Sequence, residues 1–183
     1  MSLPPVVAVT PGDGRPLALW LEALGRAGLR MVVIREPTIP IDALRSTVDS
    51  ARKWMTVVVH ARCIETLGLG VHVQEGLRPF GASPNGASRH DGAGIDAAFA
   101  SGADYAFLSP VWAPASKVHH AAPLGLEAYL RLANGRPVYA LGGATPDRFR
   151  ELRRAGGFGI AVLGDLFGAE NPQAAARRME AYL

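Results

Sequence analysis

The sequence contains almost no cysteine and no long apolar run. Cys63 is the only cysteine among 183 residues, which excludes an internal disulfide and a cysteine-based zinc site and leaves Cys63 as a small apolar side chain. No run approaches the roughly 18 apolar residues that a membrane-spanning helix needs, and the first ten residues lack the charged start and cleavage site of a signal peptide. We therefore expect a cytoplasmic protein without a membrane partner, folded as a single domain over residues 1–183.

Concentrated charge is also absent. The formal net charge is +3, and the arginines are spread over helical patterns such as RFRELRR and AARRME instead of forming one block. This distribution disfavours nucleic acid as a partner and fits an anionic small molecule. A homo-oligomer is compatible with the composition.

Apolar runs and helical patterns alternate along the chain. Alternation of this kind is typical of repeated βαβ units around a parallel sheet, and eight units predict an α/β fold of the (β/α)8 TIM-barrel type. An open doubly wound sheet is the alternative architecture. The predicted strands are 6–10, 29–36, 55–62, 70–75, 85–90, 103–112, 137–143 and 158–164.

Two intervals are too short for a full helix. ARCIETLGLG, between the third and fourth strands, has room for about one helical turn, and GLRPFGASP, between the fourth and fifth, has no helical pattern. We therefore predict a compact barrel whose helices after strands three and four are shortened or missing. The other predicted helices are 16–28, 41–54, 93–102, 124–135, a helix beginning after Thr145, and 172–183.

Adjacent glycines join a strand to a helix in ALGGATPDRF, residues 140–149. Thr145 is a good N-cap and Pro146 suits the first helical position. Gly142 and Gly143 either allow a phosphate to approach the backbone or form an ordinary tight turn. Barrels often bind phosphate through the loops after strands seven and eight and a short extra helix, which GDLFG at Gly164 would supply.

Polar side chains recur where the predicted strands end. Ligands of both candidate folds bind at these ends, so the pattern supports an anion site there. The residues are Thr10, Arg35, Glu36, His60, Arg62, His72, Gln74, Ser88 and His90, followed by Ser116 and Lys117 beyond Trp112.

The segments GADYAFLSPVWAPASK, PLGLEAY and PVYALGGATPDRFRELRRAGGFGIAVL resemble the second half of the thiamine phosphate synthase and TenI family. The resemblance runs from about Asn85 to Gly168 and is weaker before it. GAS occurs twice, and only the second copy is followed by Arg-His, so the Ser-x-His pattern of the family is assigned to Ser88 and His90. The resemblance implies a (β/α)8 barrel that binds a thiazole phosphate through backbone N–H groups around Gly142, Gly143, Leu163 and Gly164.

The chain departs from the synthase branch of that family at the metal site. The synthases carry Asn-Asp where this chain has His60-Ala61, and a carboxylate where it has Gly76-Leu77, although Glu36 and Glu75 remain as candidate ligands. The first threonine of the family's Thr-x-Thr-Lys loop is Pro114, while Ser116 and Lys117 survive. These departures favour the TenI branch, whose members are implied to be thiazole tautomerases that move a proton without a metal or other cofactor.

The histidine that the TenI branch carries after strand six is also absent, since its position is Pro110. Proton transfer is therefore assigned to His90, His60 or Lys117, and substrate binding to Arg35, Ser88 and Ser116. His72 is predicted to be a satisfied core or rim histidine, and Trp112 either walls a flat ring or packs. The alternatives are a Mg²⁺-dependent synthase with altered ligands and a noncatalytic regulator that binds a phosphate ligand.

Overall fold

The eight strands form one closed parallel barrel in sequence order, with the first strand pairing both the second and the last. The computed structural model describes residues 2–62, 68–113 and 122–183. The barrel confirms the predicted fold and excludes the open sheet. The strands are β1 Val6–Val9, β2 Met31–Ile34, β3 Thr56–His60, β4 Gly70–Val73, β5 Gly86–Arg89, β6 Tyr105–Leu108, β7 Val138–Leu141 and β8 Gly159–Val162.

The helices surround this barrel and are shorter than their sequence patterns. Within the described residues they are α1 Ala18–Arg26, α2 Ile41–Ala51, α3 Gly92–Ala100, α4 Gly125–Ala133, α5 Pro146–Arg154, α6 Gly164–Phe167 and α7 Pro172–Glu180. None of them is long and apolar enough to cross a membrane. The Thr145 hydroxyl accepts a hydrogen bond from the Arg148 N–H, and Pro146 begins α5, as the sequence predicts. The predicted short helix at Gly164 is α6.

Alternate side chains of each strand fill two cores. One set points outward against the helices, and the other fills the inside of the barrel. The inner set contains large aromatic rings on β6 and β7 and smaller aliphatic side chains on β1 to β3. It comprises Val7, Val9, Met31, Val33, Val58, Tyr105, Phe107, Tyr139 and Ala161.

No helix occurs between β4 and β5, within the described residues 68–113, which confirms the prediction for that interval. Buried Arg89 fastens the loop that takes its place. Its guanidinium donates hydrogen bonds to the carbonyl oxygens of Gln74 at 3.2 Å and Leu77 at 2.7 Å, and to that of Gly94 in α3 at 3.2 Å. The interval after β3 contains residues 63–67, including Cys63, which lie outside the described residues.

Candidate functional site

The carboxyl ends of all eight strands meet at one rim because the barrel is parallel and closed. This rim, the barrel mouth, brings together polar side chains that are far apart in the sequence. Ser116 and Lys117 lie outside the described residues. The other predicted site residues lie at or just after strand ends around the mouth: Arg35, His60, Ser88, His90, Gly142, Gly143, Leu163 and Gly164.

His60 is buried at the end of β3, with 7% of its surface exposed. Its Nδ1 accepts a hydrogen bond from the Arg62 N–H at 3.1 Å, so neutral His60 carries its proton on Nε2. Burial, followed by the positive charges of Arg35 and Arg62, lowers the pKa of His60 to about 4. His60 is therefore neutral at physiological pH and a weak proton acceptor, better suited to donating a hydrogen bond than to abstracting a proton.

His72 lies inside the barrel and has both ring nitrogens bonded. Its Nε2 is 2.8 Å from the Ser88 hydroxyl, and its Nδ1 is 3.1 Å from the Tyr105 hydroxyl. The ring also packs on Phe107, with centroids 4.3 Å apart. The prediction of a satisfied core histidine is confirmed, and its hydroxyl partner is the predicted binding residue Ser88.

His90 projects from the end of β5 toward two neighbouring strand ends. Its Nδ1 is 2.6 Å from the Ser109 carbonyl oxygen, and its Nε2 is 3.4 Å from Oε2 of Glu75. A carbonyl only accepts, so Nδ1 carries a hydrogen, and Nε2 is the ring nitrogen that faces the carboxylate. The two side chains are 58% and 52% exposed. An ion pair this exposed contributes at most about 1 kcal/mol to stability, and both groups are accessible to a ligand.

Arg35 and Glu36 follow β2 and contact the loop after β1. The Glu36 carboxylate is buried and accepts hydrogen bonds from the Gly12 and Gly14 N–H groups at 2.9 and 3.0 Å. Arg35 Nη1 lies 3.3 Å from the Pro11 carbonyl oxygen. Glu36 therefore shapes the loop, while the half-buried Arg35 guanidinium retains donors for an anion.

Gly142 and Gly143 both have positive φ, at 99° and 60°. A side chain at Gly143 would lie 2.6 Å from the Ala113 carbonyl oxygen and 3.0 Å from Cβ of Trp112. The turn itself thus requires glycine, independently of any ligand. Arg148 donates a hydrogen bond to the Gly143 carbonyl and lies 5.7 Å over the Trp112 ring, so Trp112 packs against this turn.

Leu163 and Gly164 follow β8 on the other side of this turn. A Cβ at Gly164 would meet no atom within 4 Å among the described residues, and its φ is not positive. Within that part of the chain, the Gly143 and Gly164 amides donate none of the hydrogen bonds that tie the loops together. Both turns therefore offer a backbone donor, and the one at Gly164 lies beside open space, as a phosphate site requires.

The sequence reasoning missed three functional neighbours. The contact of Glu75 with His90 forms between the ends of adjacent strands, and the local sequence QEG does not predict it. The sequence pattern places Tyr105 in a strand but does not show that its hydroxyl supports His72. The RFRELRR pattern places Arg148 on a helical face, but its guanidinium also supports the Gly143 turn.

A closed parallel barrel with a polar mouth and glycine turns after its last two strands defines a (β/α)8-barrel protein with a candidate small-molecule site. Residues 84–166 match the family model described as thiamine monophosphate synthase. The thiamine-phosphate synthase of Mycobacterium sp. (strain KMS) is 33% identical over 176 residues, covering 88% of this chain and 78% of the relative. The chain therefore belongs to the thiamine phosphate synthase/TenI family of thiamine biosynthesis.

Two further similarities agree with this assignment. The thiamine biosynthesis bifunctional protein ThiM/ThiE of Symbiobacterium thermophilum is 31% identical over 175 residues, and the match covers 86% of this chain but 36% of that longer protein. The thiamine phosphate pyrophosphorylase from Pyrococcus furiosus has a TM-score of 0.74 at 22% identity, covering 97% of this chain and 92% of that one. The structural match supports the fold.

The donor set at the mouth does not fit the Mg²⁺ that the synthase branch implies. Mg²⁺ takes hard oxygen ligands, commonly one or two carboxylates together with substrate phosphates. The Glu36 carboxylate accepts two backbone N–H groups, and Glu75 faces a histidine instead of a second carboxylate. Within the described ranges, no three His, Cys, Asp or Glu side chains are grouped to hold a metal.

Proposed function

We propose that the protein is a metal-independent thiazole tautomerase acting on a thiazole phosphate. The observation that carries this proposal is the pairing of Glu75 with His90 at the mouth. A carboxylate beside an imidazole is suited to exchanging protons, whereas two carboxylates would be suited to a divalent cation.

The proposed reaction takes one proton from the substrate and delivers one, exchangeable with solvent, to another of its carbons. The His90–Glu75 pair takes the proton from the ring carbon that bears the carboxylate, and the C–H electron pair enters the ring. The exocyclic double bond shifts into the ring as its outer carbon receives a proton from the same pair. Atoms and charge balance, the product is the aromatic thiazole, and no oxidant or reductant is consumed.

The remaining site residues bind and orient the substrate. The turns at Gly142–Gly143 and Leu163–Gly164 hold the phosphate through backbone N–H groups, and the Arg35 guanidinium supplies positive charge. Ser88 and neutral His60 offer hydrogen bonds to the ring or its carboxylate. Ser116 and Lys117 stay predicted contacts, with the Lys117 ammonium assigned to an anionic group of the substrate.

The test is product analysis in D₂O. The thiazole phosphate tautomer is incubated with the protein in EDTA, and NMR follows the appearance of the aromatic product with one deuterium on the exocyclic carbon. We expect turnover without Mg²⁺, and a fall in kcat of about 10²-fold or more in His90→Gln and Glu75→Gln. Glu22→Gln is the matched control, because Glu22 is a partly exposed carboxylate paired with Arg26 on α1. Its kcat should equal that of the wild type.

The synthase alternative is favoured by the names of the curated relatives. A parallel incubation therefore adds pyrimidine pyrophosphate and Mg²⁺. Formation of thiamine phosphate only in that incubation would replace the tautomerase proposal with the synthase. Saturable binding without any turnover would replace both with a noncatalytic regulator.

A further inference from the structure

A chain of hydrogen bonds crosses the barrel interior beneath the mouth. It begins at the Tyr105 hydroxyl on β6, passes through the His72 ring on β4 and ends at the Ser88 hydroxyl on β5. Tyr105 and His72 are almost wholly buried, at 0% and 1% exposed, whereas Ser88 is half-buried. Ser88 is therefore the one member of this chain that a ligand in the mouth can reach.

The barrel wall is built to admit the Tyr105 ring. Gly86, which starts β5 between the other two strands, lies directly against that ring, and any side chain there would overlap it. The Tyr105 ring also stacks on His72, with centroids 5.5 Å apart and an interplanar angle of 28°. The phenol is thus held in place by packing, and its hydroxyl position at His72 is fixed.

The direction of the hydrogen bonds follows from the donors available. Burial lowers the pKa of His72 well below its usual value, so the ring is neutral and carries one N–H. Among the described residues, His72 Nδ1 is the acceptor within reach of the Tyr105 hydroxyl. A buried hydroxyl that donated to nothing would leave its hydrogen desolvated and unpaired, which is unfavourable, so Tyr105 donates to Nδ1 and the ring proton resides on Nε2.

We propose that Tyr105 and His72 are positioning residues that fix the Ser88 hydroxyl as a hydrogen-bond donor to an acceptor atom of the ligand. His72 Nε2–H donates to the Ser88 oxygen, which leaves the hydroxyl hydrogen directed away from the ring. A carboxylate or phosphate oxygen is the matching group. The identification of the ligand as an anionic thiazole rests on the proposed function, whereas the direction of the hydrogen bonds does not.

The first experiment reads the tautomer directly. Nitrogen NMR of the histidine-labelled full chain distinguishes a protonated from an unprotonated ring nitrogen, and His72→Gln assigns the signal among the five histidines. We expect His72 as the Nε2–H tautomer in the wild type, with Nδ1 shifted by an accepted hydrogen bond. Tyr105→Phe should abolish that shift. An Nδ1–H tautomer in the wild type would overturn the inference, whatever the protein binds.

The second experiment measures binding of the thiazole phosphate by calorimetry. Tyr105→Phe and Ser88→Ala should each weaken binding about three- to tenfold, and the double variant should be no weaker than Ser88→Ala alone. Tyr139→Phe is the matched control, because the Tyr139 hydroxyl donates to the Pro4 carbonyl at 2.7 Å and has no hydrogen bond to Ser88. Equal effects of Tyr105→Phe and Tyr139→Phe would contradict the positioning role. Failure of the wild type to bind the thiazole phosphate would instead refute the proposed function. The His72 tautomer would still decide whether the inferred hydrogen-bond direction is right.

Discussion

Burial of the single residue His60 makes the free energy of unfolding depend measurably on pH. Its pKa is about 4 in the folded protein and about 6.5 when unfolded, so the unfolded chain binds the extra proton between these values. The stability contribution is therefore complete above pH 6.5 and falls as the pH drops toward 4. We predict that wild-type protein loses roughly 1–2 kcal/mol more unfolding free energy than His60→Asn between pH 7 and pH 5.

Urea denaturation at each pH measures this difference. Asparagine keeps an oxygen that can accept the Arg62 N–H, which makes the substitution conservative. Buried His72, whose pKa is also lowered, is present in both proteins and contributes to the pH dependence that remains in the variant. Parallel loss of stability in the two proteins would show that His60 titrates normally.

Single residues could be placed at the mouth from the sequence, but their contacts could not. A polar residue after an apolar run located His60, and the Ser-x-His pattern of the resembled family located Ser88 and His90, because strand ends of a parallel barrel share one edge. The contact of Tyr105 with His72 depends on the space above Gly86, and the contact of Glu75 with His90 depends on the spacing of two strands. Such contacts are tertiary, so local patterns do not encode them.

The glycine turns before α5 and α6 are two structural elements with different constraints. Gly143 has positive φ and no room for a side chain, so a substitution there would disturb folding and any ligand together. Gly164 has ordinary φ and open space at its Cβ. Gly164→Ala is therefore predicted to weaken binding of the thiazole phosphate by at least about tenfold, or 1.4 kcal/mol. The free energy of unfolding should change little.

Calorimetry with two ligands tests this assignment. The dephosphorylated thiazole alcohol should bind wild type and Gly164→Ala equally, since the added methyl group would obstruct only the phosphate. Thermal unfolding of both proteins checks that the fold is retained. Equal losses of affinity for the thiazole phosphate and the alcohol would show that the phosphate does not bind at this turn.

The number of strands was predicted more accurately than the residues at which strands and helices end. All eight strands were predicted, most of them because buried parallel strands form continuous apolar runs in the sequence. β5, whose sequence is GASR, has no such run. The predicted strand 103–112 nevertheless ends at Leu108, since Pro110 has no N–H to continue the ladder. The predicted helix 41–54 ends at Ala51, because the Trp54 and Met55 N–H groups both donate to the Ala51 carbonyl and close the helix in a turn. The apolar pattern extends past this end, since Trp54 and Met55 still pack against the core.

The charges around the whole mouth favour an anion over a free cation. The guanidinium groups of Arg35, Arg62 and Arg148 make their hydrogen bonds to carbonyl or amide oxygens. The nearby carboxylates are already engaged: Asp13 by Arg15, Glu36 by two backbone amides, Glu75 by His90, and Asp91 by the Gly94 amide. A divalent cation would have to displace one of these partners and approach like charges.

We therefore predict that the free protein does not bind Mg²⁺ with submillimolar affinity, whereas the thiazole phosphate binds saturably without it. Calorimetric titration with MgCl₂ measures the affinity for Mg²⁺, with NaCl of equal ionic strength as the control. The Glu75→Gln variant is the discriminating control, because Glu75 is the exposed carboxylate that a cation would reach first. Submillimolar Mg²⁺ binding that disappears in Glu75→Gln would mean that this carboxylate is a metal ligand, and the chemistry at the mouth would then be that of the synthase branch.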